Sequence, residues 1–104
     1  MKKDISCSVH MSSWDLYTED FVLPAEETFK LFIDYPCDKT EFQIKTGKKG
    51  LGLAGLVTAI VKNYSKIYED PDKYNVWGHD MGDLYLSGIS INFDKKIITI
   101  DVDS

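Results

Sequence analysis

Arginine is missing from the chain: all 12 basic residues are Lys. Without a guanidinium there is no planar fork to grip phosphate or guanine in a bidentate manner. With a formal net charge of −5 as well, nucleic acid is not an expected partner. The acidity is nevertheless short of the dense carboxylate array of a nucleic-acid mimic, and charge of this size serves solubility. Cysteine is scarce, with Cys7 and Cys37 the only two. They form no disulfide framework and no C-x-x-C pair, so two reduced thiols are expected. Cys7 falls among core-facing residues, whereas Cys37 falls in a turn and should be the more exposed. There is no apolar run of the length a membrane helix needs. Asp4, Ser6, Ser8 and His10 interrupt any signal-peptide core after Met1-Lys2-Lys3. A cytoplasmic protein without membrane association is the expectation. Internal repeats, linkers and low-complexity tracts are also missing, and 104 residues of 43% apolar composition fit one globular domain spanning residues 1-104.

What is present is patterning. Ile5, Cys7, Val9 and Met11 alternate with Ser6, Ser8 and His10, the period of a half-buried strand. Phe21-Val22-Leu23, stopped by Pro24, reads as a short edge strand or an anchored loop. Thr28 to Tyr35 and Thr40 to Thr46 read as two strands of a hairpin around Pro36-Cys37-Asp38-Lys39. From about Leu53 to about Glu69, residues Leu53, Leu56, Val57, Ile60, Val61, Tyr64, Ile67 and Tyr68 recur at helical spacing. Thr58, Lys62, Ser65, Lys66 and Glu69 take the other side, and Pro71 ends the segment. Leu84 to Phe93 and Ile97 to Val102, joined by Asp94-Lys95-Lys96, read as a terminal hairpin. The sum is an α+β fold: a mainly antiparallel sheet of four to six strands with one amphipathic helix packed on one face.

Polar and conformationally special residues concentrate in Trp77-Gly78-His79-Asp80-Met81-Gly82-Asp83-Leu84. His79 beside Asp80 and Asp83 is chemistry suited to a divalent cation or to proton transfer near neutral pH. Further ligands would have to come from His10, Asp101 or Asp103, because no compact metal motif accompanies the three. The same residues also suit a structural connection. Asp80 and Asp83 can close Asx turns or cap a helix, Gly78 and Gly82 can supply positive φ, and Trp77 and Leu84 can pin the loop to the core.

Gly50-Leu51-Gly52-Leu53-Ala54-Gly55 matches G-x-G-x-x-G ahead of a helix. The preceding strand looks antiparallel, no acidic ribose-binding residue follows at the required distance, and the chain lacks room for a nucleotide-binding sheet. A loop whose small residues Gly52, Gly55 and Ala59 let the helix lie close to the sheet explains it, and no cofactor is expected. Tyr64 and Tyr68 belong to the helix stripe. Together with Tyr74 and Trp77, and Trp14 and Tyr17 elsewhere, they could form an exposed aromatic surface, but most are expected in the core, Tyr64 and Tyr68 through helix packing.

At Ile67-Tyr68-Glu69, at Trp77-Gly78-His79-Asp80-Met81-Gly82-Asp83-Leu84, at Gly88-Ile89 and at the closing Asp101-Val102-Asp103-Ser104, the chain resembles a scattered group of small proteins. That group shares a Tyr-x-x-Ile-Tyr-Glu helix end and a Trp-Gly-His-Asp-x-x-Asp-Leu loop, and has no known activity. The resemblance covers roughly the C-terminal half; Met81 and Ser87 depart from an aliphatic and an acidic residue. It implies that the loop matters to fold or function. Two readings follow. The favoured one is a non-enzymatic domain that binds another protein through Trp77, His79, Asp80, Asp83 and neighbouring aromatics, since no dispersed catalytic set is visible. The other is a small metal-dependent or His/Asp hydrolase, with His79 as base or ligand and Asp80 and Asp83 as ligands or orienting carboxylates. A homo-oligomer is compatible with both.

Overall fold

A computed structural model describes residues 2–11, 21–78 and 80–103. Its elements are β1 (Lys2–His10), β2 (Phe21–Leu23), β3 (Thr28–Ile33), β4 (Thr40–Lys45), β5 (Leu51–Gly52), α1 (Leu53–Glu69), α2 (Pro71–Tyr74), β6 (Tyr85–Asn92) and β7 (Ile97–Asp103). The helix predicted between Leu53 and Glu69 has those bounds. The five-stranded sheet runs β1-β6-β7-β3-β4, and β2 pairs with β5 in a separate two-stranded ribbon.

Both predicted hairpins form. β3 and β4 pair antiparallel from Thr28↔Lys45 to Ile33↔Thr40. β6 and β7 pair antiparallel, with a register shift between Leu86 and Gly88. In the turn between them the Asn92 side-chain oxygen accepts from the amides of Asp94 and Lys95, both at 3.1 Å. The sheet is mixed rather than purely antiparallel, because β3 and β7 lie parallel through Lys30↔Ile97, Leu31↔Ile98 and Phe32↔Thr99. Each hairpin follows from its local turn, whereas the edge by which hairpins meet is set by long-range burial. Here that contact places Leu31 and Ile98, both fully enclosed, side by side. The Lys30 amide donates to the Lys96 carbonyl at 2.8 Å, and Lys96 forms an ion pair with Glu27, which ties the second turn to the start of β3.

Alternation gives the sheet one apolar face. Phe29, Leu31, Ile33, Ile44, Leu86, Ile89, Ile91 and Ile98 are buried beneath Leu56, Val57, Ile60, Tyr64 and Ile67 of α1. The intervening Lys30, Glu41, Gln43, Ser90, Thr99 and Asp101 are exposed. A single helix covering a one-sided sheet is the two-layer solution that such alternation requires. Thr58, Asn63 and Ser65 return side-chain hydrogen bonds to carbonyls one turn back, at Ala54, Ala59 and Val61. Asn63 thereby sits buried on the helix stripe with its amide satisfied. Lys66 occupies the last turn, where a cation complements the helix dipole.

The Gly-rich segment is shaped by contact with β2 rather than by a phosphate. β5 is antiparallel to β2 and only two residues long, so no βαβ unit surrounds the G-x-G-x-x-G match. Gly50 has φ +74°, and a Cβ there would lie 2.5 Å from the Leu23 carbonyl oxygen. No other residue could let β2 approach so closely.

Ile60 is fully enclosed at the middle of α1. Ile60→Ala is expected to lower unfolding free energy by about 2–5 kcal/mol, read from the shift in denaturant midpoint at unchanged slope.

Candidate functional site

The segment between α1 and β6 is fastened to the β3–β4 connection. The Asp38 amide donates to the Tyr74 carbonyl at 3.0 Å, and the Trp77 amide donates to the Pro36 carbonyl at 2.9 Å. Asn75, in the left-handed region at φ 57°, adds a side-chain bond from Nδ2 to Asp38 Oδ2 at 3.3 Å. Aromatic rings reinforce the seam. Trp77 stands edge-to-face on Tyr35 with centroids 6.5 Å apart, and Tyr74 leans on Phe42 at 6.2 Å.

This fastening corrects one expectation. Cys37 is not the exposed thiol: it is buried at 1% exposure, while Cys7 is half-buried and its Sγ donates to the Leu86 carbonyl. The turn carrying Cys37 is bonded to the 74–77 segment through Pro36 and Asp38, and its thiol is enclosed instead of projecting outward. Burial pushes the Cys37 thiol pKa up, and the charges of Asp34 and Asp38 add to the rise. Burial alone raises that of Cys7. Neither thiol is therefore poised as a thiolate nucleophile.

Along the described residues of the candidate loop, Trp77 is 47% exposed and only Leu84 is sunk into the core. Trp77 is thus held by its backbone and by one edge of its ring, and does not pin the loop by burial. Gly78 has φ +71°, and a Cβ there would meet nothing within 4 Å, so backbone conformation alone calls for glycine. Gly82 does not share that role, since it lies within a 3-10 turn over Met81–Asp83 and is not among the positive-φ glycines. Asp80 holds the N-cap position of that turn without a side-chain cap bond, and its carbonyl accepts from the Asp83 amide at 2.9 Å. Met81 faces α1, its sulfur 3.9 Å from Ser65 Oγ. The Met11 amide donates to the Leu84 carbonyl at 3.0 Å and joins the loop's end to the end of β1.

Tyr68, Pro71, Val76, Gly78, Asp80 and Asp83 line a shallow depression of about 490 Å³. The Tyr68 phenol is half-buried there and its pKa is pushed up to about 12, first by burial and then by surrounding anionic groups that include Asp80 and Asp83. Both carboxylates thus act on one phenol. His79, Trp14 and Tyr17 lie outside the described residues.

The supplementary ligands considered from sequence sit elsewhere. His10 is edge-to-face with Tyr85 at 4.7 Å, on β1 and β6. Asp101 and Asp103 line a different cleft, with Asp34, Tyr35, Tyr64 and Ser87, and the two depressions share no lining residue. Among the described residues no group of three or more His, Cys, Asp or Glu side chains could hold a metal ion. Sequence reasoning missed the role of the 34–38 connection as the platform for Trp77. Its signal was the Tyr35-Pro36-Cys37 composition, which is apolar for a turn.

No family model matches the chain, and neither the curated proteins nor the solved structures contain a match. No helix among the described residues is long and apolar enough to cross a membrane.

Tyr68 and Tyr64 both have folded-state pKa values raised above the ordinary phenol, so the native state holds their protons more tightly than the unfolded chain. The contribution of Tyr68 is complete below about pH 10 and is lost as pH rises through about 12, whereas Tyr64, raised further by its deeper burial, holds its proton beyond that window. Tyr68→Phe is expected to flatten the fall of melting temperature across that window relative to wild type, measured by thermal melts at stepped pH.

Proposed function

We propose that the chain is a non-enzymatic protein-interaction module whose contact surface is centred on Trp77. The observation that carries this reading is the state of that residue: a half-exposed indole whose amide is fixed to Pro36 and whose ring edge is fixed to Tyr35. A large aromatic already ordered before contact loses little conformational freedom on binding, which is the property of an interface anchor. Glu69, Asp70, Asp72, Asp80 and Asp83 are all exposed on the same stretch of chain, against Lys66 and Lys73. The partner that fits is a protein segment with an apolar pocket for the indole, flanked by Lys or Arg. His79 belongs to the proposed surface by its place between Gly78 and Asp80. The resemblance of this loop to a group of small proteins rests on its motif and is part of the same proposal, as is a cytoplasmic location.

Immobilised wild-type chain is expected to retain a protein from an extract of its source cells that Trp77→Ala releases, with affinity reduced about thirtyfold or more. Lys95→Ala, in the distant β6–β7 turn, should retain it. Equal retention by Trp77→Ala, in a variant whose melt shows it folded, would remove Trp77 as the anchor.

A further inference from the structure

The end of the sheet remote from β1 carries a second order of residues, which borders the Trp77 surface where Tyr74 leans on Phe42. β4 is the terminal strand, bonded to β3 on one side and to no strand among the described residues on the other. The Thr46 amide donates to the Glu27 carbonyl at 3.0 Å, in register with Phe29↔Ile44 and Leu31↔Phe42. Peptide groups of the even-numbered residues therefore face β3. By alternation, those of Glu41, Gln43 and Lys45 face outward. Their side chains are exposed on the open face of the sheet, while Phe42 and Ile44 stand on the helix-covered face. Such an edge is a template for a further strand.

We propose that β4 pairs antiparallel with β4 of a second copy of this chain, about a two-fold axis through Gln43. In that register Gln43 meets Gln43, Glu41 of each copy meets Lys45 of the other, and Phe42 of each meets Ile44 of the other. Every one of the outward peptide groups then finds a partner, because each odd-numbered residue faces another odd-numbered residue and exchanges both backbone bonds. Registers displaced by one hydrogen-bonded step keep the backbone bonds but lose the charge match. One sets Glu41 against Gln43 and Lys45 against Lys39; the other sets Lys45 against Gln43. Directly opposed unlike charges stabilise a cross-strand pair and like charges destabilise it, so the Gln43-centred register wins.

A two-fold interface must be complementary to itself. The order Glu41-Phe42-Gln43-Ile44-Lys45 has that property: acid and base at equal distances from the centre, apolar residues between. The opposite edge lacks it. β1 begins Lys2-Lys3 and its register shifts between Ser6 and Val9, both of which discourage strand addition, whereas β4 pairs with β3 over six residues without a shift.

The test is sedimentation equilibrium of the full chain over a wide concentration range. Wild type is expected to dimerise reversibly. Glu41→Lys alone and Lys45→Glu alone each convert both charged pairs to like-charged ones and should weaken the dimer by about tenfold or more. An equimolar mixture of these two variants should regain wild-type dimerisation, since one edge then presents two Lys and the other two Glu. Gln43→Pro should abolish the dimer while preserving the fold by circular dichroism, because the amide it removes faces away from β3. A wild-type chain that stays monomeric at every concentration would overturn the proposal. So would a mixture that associates no better than its components, or a dimer that survives in folded Gln43→Pro.

Discussion

The parallel contact between β3 and β7 is the constraint on which the architecture depends. Each hairpin alone has an apolar face and exposed edges, and neither could persist in isolation. Joining them edge to edge through Leu31 and Ile98 makes one continuous apolar surface, wide enough for the stripe from Leu56 to Ile67 to cover. The hydrogen bond from Lys30 to Lys96 and the ion pair of Lys96 with Glu27 guard the open end of this joint. Burial does most of the stabilising, since an exposed ion pair contributes little.

Once the sheet is closed beneath the helix, the chain must return from the end of α1 to the start of β6, and that return creates the candidate surface. Pro71 ends one helix and opens a second of only four residues. Left-handed Asn75 then redirects the chain across the Tyr35–Asp38 turn. Trp77 is half-exposed, with its amide engaged by the Pro36 carbonyl and its ring set perpendicular to that of Tyr35. The geometry at this place is therefore a by-product of how two connections share one piece of surface.

Much of this was legible in the sequence, for identifiable reasons. The 3.6-residue spacing from Leu53 to Tyr68 and the alternation in Thr40 to Lys45 and Ile97 to Val102 are local, and they mark α1, β4 and β7 directly. The turn residues 94–96 mark the second hairpin equally well. What local pattern could not carry was partnership between distant segments. The parallel pairing of β3 with β7 joins residues far apart in the chain, and so do the bonds of Pro36 and Asp38 to Trp77 and Tyr74 on either side of buried Cys37. Asn63 escaped notice because a polar residue on an apolar stripe is tolerated only when a carbonyl one turn back satisfies it. At the candidate site, sequence drew Asp80 and Asp83 together, and both line the depression that Tyr68 also lines. It also drew in His10, Asp101 and Asp103, which the topology sends to other parts of the sheet.

The enclosure of Cys37 has a kinetic consequence. Its sulfur is enclosed, and its neighbours Pro36 and Asp38 are bonded to Trp77 and Tyr74, so a thiol reagent reaches it only when the fold opens locally. Lifting a short, partly solvated seam costs less than dissolving the helix–sheet core. Cys37 is accordingly a built-in clock for local opening around the 34–38 connection, while Cys7, half-buried on β1, supplies the reference rate against which that clock can be read.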